Sequence, residues 1–376
     1  METKRGLYYE TLKKLRENKE KRLSGEIISI PWSLPRLSRV LPGIEPEKII
    51  VCTAGPKVGK SQLANFLYVF QPIDYLFEHP ECNLDIKIFY FSLEISKEAI
   101  MRQAMAYRLF SKYGVIVSPQ KLLSVYTDYI LDDHIEELIE REQPWFDFLE
   151  SKLDLQDEIR KATAIFKYVE TWYEDNGIWT YKNIKFGEES RTVRDKYAPN
   201  NPNLIVEMIT DHIGLLPAEG QGEKQLDQRE TIGRFSSEYC LKLRDKYKAC
   251  VVMIQQQALM GSQQQFTNSG KSIIEKLKPE IGNLANNKEV SRDVNLMIGL
   301  FAPNKFGFDS YKDYDLTRLK DNHRELILML NRDGISSASI DLYFQGASSY
   351  FSELPRPEDI QESDYVAIEQ SRSKTI

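Results

Sequence analysis

Ala54-Gly-Pro-Lys-Val-Gly-Lys-Ser61 lies between the apolar run KIIVCT (residues 48 to 53) and the segment QLANFLYVF (residues 62 to 70). The first run is apolar throughout, as expected of a strand covered on both faces. In the second, Leu63, Phe66, Leu67 and Phe70 recur at i, i+3, i+4 and i+7, the spacing of one helical face. A glycine-bearing loop in that position suits an anion, because backbone N–H groups turn inward and the helix N-terminus faces the ligand. Lys60 supplies charge for phosphate and Ser61 a hydroxyl for Mg2+. The loop departs from G-x-x-x-x-G-K-[ST] at its first position, which is Ala54, although Gly55 beside it keeps the chain pliable. The strand–loop–helix context favours phosphate over a plain turn. Ala54, Gly55, Pro56, Lys57, Val58, Gly59, Lys60 and Ser61 are therefore the expected nucleotide cradle.

Outward from this loop, strand-like runs alternate with helical periodicity. IKIFYFS (86 to 92), LIVEMITD (204 to 211), CVVMIQQ (250 to 256) and NLMIGLF (295 to 301) each read as a buried strand. The pattern predicts an α/β fold with a largely parallel sheet sandwiched by helices. The last runs, ELILMLN and SIDLYF, suit antiparallel additions at one sheet edge. Residues 97 to 185 read as a helical insertion, and residues 353 to 376 as a flexible tail poor in apolar residues. Near the N-terminus, Tyr8, Leu12 and Leu15 mark a narrow apolar stripe on a helix within residues 1 to 25. The core domain is thus expected over residues 26 to 352.

The chain has 376 residues and a formal charge of −6, which argues against a surface coated in basic groups for duplex DNA. No apolar stretch is long enough to cross a membrane, and the N-terminus lacks the apolar centre of a signal peptide. These features predict a cytoplasmic protein. Cys52, Cys82, Cys240 and Cys250 lack metal-binding or redox spacing, and His79, His134, His212 and His323 are scattered. Each histidine is read as a surface or locally hydrogen-bonded residue.

Three further elements carry chemistry. Glu94, just past IKIFYFS, lies where ligands of open α/β sheets bind, and it can polarise a water for attack on a γ-phosphate. Asp211 ends its strand and suits Mg2+ through the ion's water shell. Glu207 competes for that role, but mid-strand in a sheet covered on both faces is a poor place for a carboxylate. Gln255, Gln256 and Gln257 end another strand, where an amide can sense the γ-phosphate; position alone leaves the three open.

In this order the elements resemble the replicative hexameric helicases of the DnaB type, a branch of the RecA-like P-loop ATPases. AGPKVGKS resembles an alanine-started Walker A, FSLEIS the catalytic-glutamate segment, and ITDHIGLL the Walker B segment. VVMIQQQ is similar to the sensor strand, and ELILMLNRDG to the arginine-finger segment. The resemblance spans residues 26 to 351. It implies ATP and Mg2+ as cofactors, Glu94 as base, Gln256 as sensor and Arg332 as a finger reaching into the adjacent subunit. It further implies Arg102 beside the nucleotide, a homo-hexameric ring moving 5′ to 3′ on single-stranded DNA, and a primase or helicase loader as partner. DNA contacts fall by position on Lys224, Lys271, Lys276 and Lys278, and the N-terminal helix is expected on the adjacent subunit. The absence of the primase-binding domain that many relatives carry points to a phage or other mobile element.

Leu330 replaces the family lysine two residues before the finger, Asn287 a serine, and Asn295 a second aspartate. Two other readings share parts of this pattern: a RecA- or RadA-like recombination ATPase, and an ATP-driven switch that binds no DNA.

Overall fold

The computed structural model describes residues 6–125, 129–186, 189–221, 224–258, 274–285, 288–336 and 338–373. Its centre is a nine-stranded sheet. In chain order the strands are β1 (Lys48–Ala54), β2 (Asp85–Ser92), β3 (Leu153–Gln156), β4 (Leu204–Asp211) and β5 (Cys250–Gln256). They are followed by β6 (Leu296–Phe301), β7 (His323–Asn331), β8 (Ser339–Gln345) and β9 (Tyr350–Glu353). Their spatial order is β9-β8-β7-β6-β1-β5-β4-β2-β3. Every pairing from β6 through β3 is parallel, while β7, β8 and β9 add antiparallel, as the sequence suggested.

Alternation along the strands builds two apolar layers. Ile50, Cys52, Ile88, Ile209, Val252 and Ile298 face one layer, and Ile49, Val51, Phe89, Met208, Val251 and Met297 the other. The first layer is closed by the helical run after the phosphate loop, Lys60–Asn65 and Gln71–Glu78 joined through a π-helical turn, Phe66–Phe70. The second is closed by helix Ala162–Asp175 and the run Gln228–Arg234, Phe235–Cys240 and Leu241–Tyr247. Asp227 begins that second run with a reciprocal capping box to Glu230.

Two sequence expectations change. Residues 97 to 185 are not solely a helical insertion: they supply β3, which pairs parallel to β2, as well as the layer helix Ala162–Asp175. They also begin a two-stranded arm, Gly177–Phe186 against Glu189–Pro199. The four residues of β3 are too few to show a period, which explains the misreading. The expected tail contains helix Glu362–Ser373, with Tyr365 buried against Tyr314, Leu319 and Leu354. Arg318 bonds to both Glu362 and Glu369 and covers the Tyr365 ring. Tyr365, Ile368, the Arg318 ion pairs and a bond from Arg372 to Leu319 O hold this helix, so low apolar content concealed it. Helix Leu7–Ser24 does form, but none of its residues is buried, and Leu7, Tyr8 and Leu15 are exposed. Among the described residues, no helix is long and apolar enough to cross a membrane.

Glu207 is fully buried in the middle of β4, and neither carboxylate oxygen has a hydrogen-bond partner. Burial raises its pKa well above the ordinary 4.5, so the folded protein keeps a proton there that the unfolded chain has lost. Stability should therefore fall as pH rises above about 4.5, up to the folded-state pKa. Glu207→Leu is expected to stabilise the fold by about 1–3 kcal/mol at neutral pH, because two orphaned polar atoms leave the core. Urea unfolding at pH 5 and pH 8 checks this, with the larger gain expected at pH 8. A variant less stable than the parent at both pH values would refute it.

Candidate nucleotide site

The C-terminal ends of β1, β2, β4 and β5 lie along one edge of the sheet, with Thr53 level with Gln255 and Ser92 level with Asp211. At that edge the loop after β1 turns sharply. Gly59 has φ 104°, a conformation that favours glycine, and a Cβ there would press on the Phe344 ring at 3.2 Å. Lys60 then begins the helical run.

The loop's polar groups are sorted by direction. Carbonyls are held from behind: Arg324 Nε donates to Val58 O at 2.8 Å, and Lys305 Nζ donates to Lys57 O. Among the described residues, no backbone carbonyl or side chain accepts from the amides of Gly55, Lys57, Gly59 and Lys60. A loop with carbonyls fixed outward and amides unengaged is prepared for an anion. Arg324 is itself buried, stacked on Phe344 and bonded to Asp321. Arg324→Met keeps the stem over Phe344 but frees the Val58 carbonyl. It is expected to weaken nucleotide binding about tenfold, roughly the net value of one charged hydrogen bond. Titration with a fluorescent ATP analogue measures the loss, and unchanged affinity would dismiss the brace.

Lys60, Glu94, Asp211 and Ser61 converge. Lys60 Nζ lies 3.7 Å from Glu94 Oε2. Asp211 is 1 % exposed; Tyr90 donates to its Oδ2 at 3.3 Å, while Oδ1 is buried without a partner. Burial raises the Asp211 pKa, opposed by the Lys60 charge and the Ser61 hydroxyl. An orphaned carboxylate oxygen beside a hydroxyl fits a hard cation that arrives with phosphates. Among the described residues there is no cluster of three or more acidic, histidine or cysteine ligands, so the protein alone offers no closed metal cage. Glu207, the competitor for the metal role, lies four residues earlier in β4 and is sealed in the core.

The three glutamines separate. Gln255 donates to Ala285 O at 2.6 Å, and Gln257 pairs with the Thr53 hydroxyl at 3.0 Å. Gln256, on the opposite face of the strand, is half-buried and level with Ala54 at the loop's base. Arg102 is half-buried on helix Lys97–Tyr113, whose first turn is capped by Ser96 just after Glu94.

Arg332 lies at the other end of the sheet. Because β7 runs antiparallel to β6, its residues 324 and 325 stand at the nucleotide edge, while Asn331 pairs with Leu296 at the far edge. Arg332 lies eight residue steps along the chain from Arg324, about 26 Å at strand rise. The Arg332 guanidinium rests on the carbonyls of Val294 and Arg292, at 2.8 and 2.7 Å. Leu330 packs against the second apolar layer, opposite Met297. Asn295 accepts from Ile49 N at 3.0 Å, a structural bond between β1 and β6.

The proposed DNA lysines divide. Lys276 is exposed on the short helix Ile274–Leu277. Lys278 is turned toward the buried carboxylate of Glu325 at 3.7 Å and lies over Tyr311, so its charge serves the interior and it is set aside as a DNA contact. Lys224 belongs to a short ladder, Lys224–Gln225 against Gly220–Gln221. Lys271 and Asn287 lie outside the described residues.

Two participants were not legible in the sequence. Arg324 reaches the loop only because β7 enters the sheet antiparallel. His212, read as an ordinary polar residue, is drawn into the site by burial and stands 3.9 Å from Glu94. Burial and the Lys60 charge lower its pKa, keeping the ring neutral at physiological pH.

No protein-family model matches this chain, and no curated protein matches it in sequence. Solved structures do. The chain is similar to the ATPase domain of a phage protein, with TM-score 0.65 and 15% identity, over 93% of this chain and 99% of that one. It is also similar to a DnaB-like replicative helicase, whose interactions with primase were described with it, with TM-score 0.60 and 15% identity. That match covers 88% of this chain and 64% of the helicase chain. The chain therefore has the RecA-like fold of DnaB-type ATPase domains.

Proposed function

We propose that this chain, built on the fold of the DnaB-type ATPase domains, hydrolyses ATP with Mg2+ and couples the reaction to movement along single-stranded DNA. The observation that carries the hydrolytic reading is the sorted phosphate loop, with its carbonyls pinned by Arg324 and Lys305 and its amides unengaged, facing Glu94 and Asp211. Lys60 and the loop amides would bind the β- and γ-phosphates, while Ser61 and Asp211 would hold the metal and its water shell. Mg2+, when bound, would supply charge neutralisation for the phosphates. Glu94 takes the proton of the attacking water and Gln256 senses the γ-phosphate.

The placement of Arg332 supports the reading of a ring. It is about 26 Å along β7 from the residue bracing its own loop, too far to serve that loop and suited to a neighbour's. Helix Leu7–Ser24, exposed along its apolar stripe, would then pack on the adjacent subunit. We assign the ring a 5′-to-3′ direction and six subunits by the resemblance, with Lys224, Lys271 and Lys276 offered to DNA phosphates and a primase or loader as partner.

Two measurements test this reading. ATP turnover should rise on titration with single-stranded oligonucleotide, with the salt sensitivity of phosphate contacts. Native mass measurement with a non-hydrolysable ATP analogue should show a closed oligomer. A rate indifferent to DNA over a wide range would favour a DNA-independent switch, and filament growth would favour a recombination ATPase.

A further inference from the structure

Beside Glu94 stands a half-buried polar side chain that the proposed chemistry leaves unused. His212 leaves β4 directly after Asp211, and its side chain is 12% exposed. Nε2 lies 3.9 Å from Glu94 Oε2, while Nδ1 is buried without a hydrogen-bond partner. Buried N–H groups without acceptors are rarer than buried acceptors without donors. The geometry thus favours a proton on Nε2, the side facing Glu94.

Glu94 Oε2 has a second neighbour, Lys60 Nζ, at 3.7 Å. A bound triphosphate carries far more charge than one carboxylate and draws Lys60 to itself. Glu94 then loses its cation at the moment it must be aimed. The backbone keeps His212 in place for that moment: Ser92 pairs with Asp211, and Leu93 N donates to Asp211 O at 2.6 Å. Glu94 and His212 thus hang from adjacent strand ends. Glu94 is 47% exposed at its side chain, which leaves it room to rotate toward His212. Catalytic hydrogen bonds are commonly long before the substrate arrives.

We propose that His212 is a positioning residue, whose Nε2–H holds Glu94 toward the attacking water once Lys60 has turned to the phosphates. This assignment rests on the reading of the chain as an ATPase with Glu94 as its base.

The test compares His212→Phe, which keeps a ring and removes the donor, with His212→Gln, which restores an N–H of similar reach. His212→Phe is expected to lower kcat about 10- to 100-fold, the scale of a misaimed catalytic group. Its KM and its affinity for a fluorescent ATP analogue should stay within about twofold of the parent, since the loop itself is untouched. His212→Gln should recover most of the rate. Parental kcat in His212→Phe would overturn the assignment while leaving the ATPase reading intact. Equal losses in both variants, with KM rising, would also overturn it in favour of packing. A parent protein that turns over no ATP would refute the ATPase reading, and the assignment with it.

Discussion

Glu94→Gln is expected to reduce ATP turnover by about two to four orders of magnitude, the usual contribution of a positioned general base. Nucleotide affinity should stay near that of the parent. The substitution preserves shape and removes only the capacity to accept a proton from water. Glu94 also faces Lys60 before nucleotide binds, so its loss removes a competitor for that lysine, and affinity is expected to hold or rise slightly. Single-turnover hydrolysis, paired with equilibrium binding of an ATP analogue, separates the two effects. A variant with parental turnover would remove Glu94 from the chemistry and leave the loop as a binding site only.

Arg332→Ala is expected to cost about 10³- to 10⁵-fold in kcat, the range over which an arginine finger acts on phosphoryl transfer. Its own loop should bind nucleotide as before, because Arg332 stands at the opposite edge of the sheet. The decisive measurement mixes Arg332→Ala with Glu94→Gln, each inactive alone. At a head-to-tail interface, one subunit's Glu94 meets the next subunit's Arg332, so about a quarter of randomly assembled sites would be complete. Recovered turnover supports a shared site, and no recovery would place Arg332 outside the reaction. Leu330, seated in the apolar layer, cannot offer the second cation that the resembling helicases carry there. Arg332 must therefore act alone, which places its expected loss toward the upper end of that range.

The sheet was largely legible in the sequence because its strands are apolar on both faces and alternate with helices, a pattern that admits few topologies. The loop at residues 54 to 61 was legible for a local reason: strand, glycine turn and helix follow one another without interruption. Edge features were harder to read. β3 is short, and the C-terminal helix relies on Tyr365 and the Arg318 ion pairs, so neither shows a strong period. The Arg324 brace depends on contact between segments 266 residues apart. His212 enters the site because adjacent strand ends place it beside Glu94, a proximity no local pattern records.

β7 carries one more implication. At one end Arg324 grips the subunit's own phosphate loop, and past the other lies Arg332, the proposed finger for the next subunit. Between them Leu326 and Leu328 are fully packed in the core, with a register shift at Met329 before the far end. In the proposed ring, β7 would act as a pushrod: a shift of the loop on phosphate release at one end would be delivered as a displacement of the finger at the other. Firing order would then be carried mechanically through each subunit's sheet, and sequential turnover would persist in nucleotide alone, with DNA setting its pace.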